Sequence, residues 1–313
     1  MAGHGADISW DLLRQIVQAW AGTSAELKEV ATLEGGMVNT TVALTLGDGR
    51  KAVLKLTQHR VDRAHADEAI QLELLKDVGV PVPEVYSWQV GTLDSPFSFI
   101  LMEFVEGVDL AAAKASCAAD QYDALQQHLA ELVLRLHERT GPCFMRVCRG
   151  ETKQHERWPA FYREVFDPIW REVEKSTALP VKCRKTIARV HDRLDTLIAN
   201  DDRPRLLHWD IWSTNLLARC DGNDGDPWRI SAMLDPNCKF GHAEAELAYM
   251  ELFHTCTPAF MRAYQQARKL PPEYHRVRRP VYQLYTLINH VRLFGQEYLK
   301  RLLEAVERVS PLV

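Results

Sequence analysis

Three residues in the stretch LLHWDIWSTNLL, Leu206 to Leu217, have types and spacing suited to chemistry: His208, Asp210 and Asn215. An Asp in such a loop can accept a hydroxyl proton, and an Asn five residues on can ligate Mg²⁺. In the order H-x-D-x-x-x-x-N they have the catalytic-loop arrangement of kinases. Leu206-Leu207 and Leu216-Leu217 bracket the loop. Two short β-like steps there would hold Asp210 and Asn215 at the edge of a core, facing a cleft. The same stretch also reads as a surface loop with an ordinary Asp and Asn, so the other parts of the site must be sought along the chain.

Asp235 follows Ile230, Ala232 and Leu234 and so ends a strand. A carboxylate there can ligate Mg²⁺ bridging two phosphates; it can also simply cap a turn before Pro236. Lys55 lies in the apolar run AVLKL, where a cleft-facing ammonium needs an anionic partner; on an edge strand it would face solvent. Glu68 and Glu73 are the carboxylates on the following helix, and Glu68 is the expected partner. The pair would aim the ammonium at nucleotide phosphates, as strand Lys and helix Glu do in kinases. Gly35-Gly36 sits at a hairpin tip, where glycine lets backbone N–H groups approach a phosphate, or simply lets the chain turn. Backbone groups near Glu103 and Val105 are placed to hydrogen-bond an adenine edge. A Gly-rich hairpin, a strand Lys, a helix Glu, H-x-D-x-x-x-x-N and a strand-end Asp occur in kinase order. Five parts in order agree by chance far less often than any one of them.

The elements that must position these residues follow from periodicity. Residues 7–20 read as an amphipathic helix capped by Asp7 or Ser9, with Trp10, Leu13, Ile16, Val17 and Trp20 on one face. Alternation around Val42, Leu44 and Leu46, the turn Gly47-Asp48-Gly49 and the run 51–56 predict a β-hairpin. A helix over 62–78 is followed by strands at 82–90 and 97–105. From Val108 onward the pattern turns helical: 119–139, 155–175, 182–200, then 243–254, 257–268 and 278–306. His137 reads as a structural hydrogen-bonder, and Trp158 and Tyr162 as core residues that could also line a pocket. The boundary is placed near 103–107, between a nucleotide-binding lobe (1–105) and a catalytic and substrate lobe (106–313).

Composition narrows the class. The 313 residues are enough for two lobes with sizeable cores, and 46% hydrophobic with 26% charged is globular composition. A formal net charge of −4 argues against nucleic-acid binding. No apolar run approaches the roughly 20 residues of a membrane span, and the start MAGHGADISW shows no secretory signal. The 7 cysteines are scattered without a C-x-x-C pair, and the 12 histidines show no metal-ligand spacing. Reduced thiols in a cytoplasmic protein are expected. Nothing in the sequence fixes the oligomeric state, and a chain of this size can act as a monomer.

From LEGGMVNTTVAL through LMEFVEG to HWDIWSTNLL and MLDPN, the chain resembles the aminoglycoside phosphotransferases of the kinase-like superfamily. Its C-terminal half is most similar to the fructosamine (ketoamine) kinases, in LDPNCKFGHAEAELAYMELF, in the tract holding Tyr282, Leu284, Tyr285, Asn289, His290 and Gly295, and more weakly in RWPAFY. Members of that family usually carry Gly where Trp209 stands and Ser-Gly where Ser213-Thr214 stand.

The resemblance implies an α+β, bilobal, protein-kinase-like fold: a small antiparallel-sheet N-lobe with one main helix and a mostly helical C-lobe. It implies an ATP- and Mg²⁺-dependent enzyme acting on a hydroxyl of a small polar molecule, a ketoamine foremost. Asp210 would take the proton, Asn215 and Asp235 hold Mg²⁺, Lys55 set by Glu68 contact the phosphates, and Gly35 and Gly36 cover them. The acceptor would sit between the Asp210 loop and the C-terminal helices, with Trp158, Trp212, His242, Glu244 and His290 as candidate contacts. The same machinery suits an antibiotic or an amino alcohol; Glu244, Glu246 and Glu251 would make the acidic cleft a polycationic antibiotic needs. A nucleotide-binding regulator without transfer is the non-enzymatic alternative, favoured only by Trp209.

Overall fold

The alternation at 40–46 becomes β2, Thr40–Leu46, in which Val42, Leu44 and Leu46 are buried. The computed structural model describes residues 9–33, 40–57, 63–93, 95–175, 179–200, 202–220 and 226–313. The expected Gly35-Gly36 tip lies outside them. After the Gly47–Gly49 turn, where Gly49 takes φ 90°, the chain returns as β3, Lys51–Thr57. With β1 (Leu27–Thr32), β4 (Val85–Gln89) and β5 (Ser98–Glu103) these form a five-stranded antiparallel sheet in the order β1-β2-β3-β5-β4.

Helices cover both faces of this sheet. α1, Trp10–Ala21, is capped by the Ser9 hydroxyl and packs Leu13, Ile16 and Val17 against Leu44, Leu54 and Leu101. α2, Ala64–Asp77, packs Ala69 and Leu72 against Ile100 and Met102 on the other face. A strand buried from both sides reads as a continuous apolar run, and β5 is buried at every position except Glu103. Both helices expected for this lobe, over 7–20 and 62–78, are present. Trp10, expected on the apolar face, is exposed.

Beyond Gly107 the chain first forms a strand, β6 (Val108–Asp109), and only then α3 (Leu110–Ser116), capped by the Asp109 carboxylate. α4 (Ala119–Glu138) and α5 (Trp158–Val173) hold the centre of the second core, burying Leu125, Leu129, Leu132, Phe161, Tyr162 and Phe166. β7 (Met145–Arg146) lies between them. The expected helix at 182–200 is divided into α6 (Val181–Asp192) and α7 (Leu194–Leu197). Four short strands follow, β8 (Arg205–Leu207), β9 (Leu216–Cys220), β10 (Trp228–Met233) and β11 (Lys239–Gly241), with β9 paired to β10 and β8 to β11. They belong to two small sheets, ordered β10-β9-β6 and β7-β11-β8.

The chain ends in α8 (Ala243–Leu252), α9 (Pro258–Ala267), α10 (Arg279–Phe294) and α11 (Leu299–Val309). The single helix expected over 278–306 is broken at Gly295, whose φ of 65° no continuing helix can hold. No described helix is long and apolar enough to cross a membrane.

Candidate active site

Strand register brings the reactive loops together. Leu216 of β9 pairs with Met233 of β10, so the residue before one strand meets those after the other: Leu234 N–H donates to Asn215 O at 2.8 Å. Leu207 of β8 pairs with Lys239 of β11, and Asn237 N–H donates to His208 O at 2.9 Å. The 208–215 loop is therefore tied at both ends to the 234–237 loop.

Asp210 lies between them. Its Oδ2 accepts from Asn215 Nδ2 at 3.1 Å, and its Oδ1 from the Tyr249 hydroxyl at 2.5 Å. Burial raises its pKa, against the hydrogen bond from Tyr249 and with the help of the Asp235 charge. A raised carboxyl pKa makes a stronger proton acceptor. His208 is buried; its Nδ1 accepts from Asp210 N–H at 3.3 Å, and burial lowers its pKa, so it supports the loop as a neutral ring.

On one side of the loop lies a cleft of about 770 Å³ lined by Lys55, Glu68, Met102, Glu103, Phe104, Val105, Asn215 and Asp235, among others. Lys55 Nζ is 2.5 Å from Glu68 Oε1 and is also bonded to Asp235 Oδ1, whereas Glu73 is exposed. Burial works against the ammonium, but the two carboxylates outweigh it and raise its pKa; Glu68 is likewise lowered despite its burial. The Lys55 amine thus stays charged beside the cleft. With Nδ2 given to Asp210, Asn215 has Oδ1 left as an acceptor. That amide oxygen and the Asp235 carboxylate are hard oxygen donors of the type Mg²⁺ takes together with phosphate and water. Asp235 holds φ 54°, an unusual backbone for a residue that is not glycine.

On the other side lies a second cavity of about 670 Å³ between the Asp210 loop and α5, α8 and α10. Of the expected acceptor contacts, Trp212 and His290 line it. Trp158, His242 and Glu244 do not. Trp158 is 1% exposed and donates to Tyr282 Oη at 2.9 Å; His242 is 3% exposed and meets the same hydroxyl at 2.9 Å. Both are core groups sharing one tyrosine. Glu244 makes a two-pronged ion pair with Arg278, at 2.5 and 2.8 Å. Glu246 accepts from Trp209 N–H at 2.6 Å and meets His137 Nε2 at 3.0 Å, and Glu251 binds Arg279 and Tyr274. The three glutamates proposed for an acidic cleft each have partners inside the protein.

Trp209 takes φ 70°. This left-handed conformation is open to glycine and costs an L-residue roughly 1–2 kcal/mol. The Glu246 hydrogen bond holds the backbone there, and the indole packs edge-on to Trp158, 6.2 Å between ring centres, with Lys239 Nζ 4.6 Å over its face. It forms part of the second cavity's wall.

Sequence reasoning missed Tyr249, Arg146 and Lys239, and named Glu246 only for an acidic cleft, not as a support of the loop. Glu246 and Tyr249 lie at i and i+3 on α8, one face of a helix starting just after the Asp235 loop, and that spacing was the available signal. Arg146 and Lys239 are opposed across β7 and β11, a pairing of distant segments that no local pattern carries.

A family model described as fructosamine kinase matches residues 9–310. The chain is 28% identical over 301 residues to the "Probable ketoamine kinase YniA" of Escherichia coli strain K12, covering 96% of this chain and 99% of that one. It superposes with a TM-score of 0.75 on the crystal structure of a "putative fructosamine-3-kinase" from Thermobifida fusca YX-ER1, at 23% identity, over 96% of this chain and 99% of that one. A thermostable mutant of aminoglycoside phosphotransferase APH(4)-Ia, solved with AMP-PNP and hygromycin B, gives a TM-score of 0.67 at 17% identity, over 96% and 97% of the two chains. The α+β, bilobal, kinase-like fold expected from the sequence is the fold observed.

Proposed function

The chain belongs to the fructosamine kinase family and is a phosphotransferase with a hydroxyl acceptor; on that premise we propose that it moves the γ-phosphoryl group of ATP to a hydroxyl of a ketoamine, a small sugar–amine adduct. One observation carries the reading: the 208–215 loop stands between two cavities, with Asn215 facing one and Asp210 the other. A nucleotide in the first and an acceptor in the second meet at Asp210.

Asp210 takes the acceptor's proton as its oxygen forms a bond to the γ-phosphorus and the bond from that phosphorus to the β,γ-bridging oxygen breaks, leaving ADP. Little covalent work falls to the protein, so rate comes from positioning and charge. Tyr249 and Asn215 fix the carboxylate; Lys55, steadied by Glu68, meets the phosphates; Glu103 and Val105 border the adenine. Asn215 Oδ1 and Asp235 would hold Mg²⁺, which when bound neutralises phosphate charge. The lobes divide within 103–107 in this reading. The internally paired Glu244, Glu246 and Glu251 count against a polycationic antibiotic as acceptor.

Mg²⁺-dependent ADP release is measured with a panel of ketoamines, aminoglycosides and amino alcohols. Ketoamines should be turned over with the highest kcat/KM, and Asp210→Ala should lose about 10³-fold or more in kcat. Turnover confined to the other acceptors, or surviving Asp210→Ala near the wild-type rate, would overturn the reading.

A further inference from the structure

Lys239 lines the acceptor cavity yet is 2% exposed. Buried ammonium groups are ordinarily paired with a carboxylate. Among the described residues Lys239 has no ion pair: its Nζ donates to Asn237 O at 2.7 Å and lies over the Trp209 ring. The two carboxylates whose charge reaches Lys239 have their oxygens committed elsewhere, Asp210 to Tyr249 and Asn215, Glu246 to Trp209 and His137.

Directly across the strand pair stands Arg146, a second cation on the same wall of the cavity. Like charges opposed on adjacent strands repel. Burial, and then Arg146, push the Lys239 amine well below its ordinary pKa. Arg146 has Glu164 at 3.3 Å; Lys239 has no such relief. A third group lines the same cavity. The Tyr162 hydroxyl is buried, borders the cavity and has no hydrogen-bond partner among the described residues. Tyr162 packs on Tyr285, whose pKa burial raises against the opposing charges of Arg146 and Arg292. Unsatisfied donors of this kind cost stability unless a ligand completes them.

Building on the ketoamine reading, we propose that Lys239, Arg146 and Tyr162 form a receptor for a carboxylate on the acceptor, so that the preferred substrate is a ketoamine of a free amino acid. A carboxylate placed there favours the charged form of the Lys239 amine, offsets the Arg146 charge and accepts a hydrogen bond from the tyrosine hydroxyl. The cavity, about 670 Å³, suits an adduct of a single amino acid. The Trp209 ring covers one face of the ammonium, and Lys239 belongs to the cavity's lining.

The test compares kcat/KM for the fructose adduct of glycine with that of methylamine, which lacks only the carboxylate. The wild type should favour the glycine adduct by about 10- to 100-fold, expressed in KM. In Lys239→Met the ratio should collapse toward one; Tyr162→Phe, which removes one hydroxyl, should lower it by a smaller factor. A structural role would lower both values and keep their ratio. A wild-type ratio near one, a ratio preserved in both variants, or preference for a methylamine adduct phosphorylated on its sugar would overturn the proposal. If neither adduct is turned over while other alcohols are, the ketoamine reading fails by itself. Calorimetric titration with the glycine adduct then decides: weaker binding to Lys239→Met supports the receptor, and equal binding or none removes it.

Discussion

The hydroxyl of Tyr249 donates to Oδ1 of Asp210 at 2.5 Å, from one turn beyond Glu246, which holds the neighbouring Trp209 N–H. One face of α8 thus supports both the proposed base and the backbone beside it. Burial raises the Asp210 pKa and the Tyr249 hydrogen bond opposes that rise. Removing it in Tyr249→Phe lifts the pKa further. Activity that needs ionised Asp210 disappears as pH falls through that pKa, so the acid limb of kcat/KM against pH should move to higher pH. A fall of about tenfold in kcat should accompany it, the worth of one charged hydrogen bond.

Ionised Asp210 also carries a cost to the fold. A carboxyl whose folded pKa lies above its unfolded value adds stability below the unfolded pKa, and that contribution is lost as pH rises through the folded one. Asp210→Asn should therefore melt higher than wild type at neutral pH, with the gap closing toward acid, while turnover is lost. Calorimetric melting across pH checks this; a lower melting temperature at neutral pH would contradict it.

Glu68→Gln leaves Lys55 with Asp235 alone. The ammonium then turns toward the carboxylate assigned to the metal, and KM for nucleotide should rise by about tenfold or more, in line with the loss of a charged contact. Nucleotide titration by calorimetry, beside initial rates, measures it.

Trp209 permits a test in which glycine outperforms alanine. Both Trp209→Gly and Trp209→Ala remove the indole, but only glycine relaxes at φ 70°. The glycine variant should be the more stable by about 1 kcal/mol. Chemical denaturation of the pair reads the difference.

His242 and Glu244 should behave as structural residues. Burial pushes the His242 imidazole from 6.5 down to about 3. The unfolded chain binds its proton first, so this contribution is intact above pH 6.5 and drains away as pH falls toward 3. His242→Asn should flatten that slope in unfolding free energy. Glu244→Gln leaves Arg278 unpaired and should cost about 3 kcal/mol, with KM for the acceptor unmoved.

The parts of the site legible in the sequence are those set by local register. Asn215 and Asp235 flank the two strands of one hairpin, and Lys55 stands in an alternating strand beside one helix, so short-range pattern suffices. Trp158, His242 and Glu244 were misplaced because their orientation depends on Arg278 and Tyr282, far along the chain. Polar residues near a motif look functional until their partners are known. Tyr249 had the opposite disguise: an aromatic at helical spacing reads as core. The break at Gly295 was written in the residue type, but glycine inside a helical pattern is tolerated often enough that only the observed φ decides it.

The two cavities have almost separate walls. The strands and α2 enclose one, α5, α8 and α10 the other, and among the described residues Asn237 alone borders both. In the proposed reading, residues on the acceptor side can therefore change without touching those that line the nucleotide cleft. The loop is the partition across which those two sets of side chains meet.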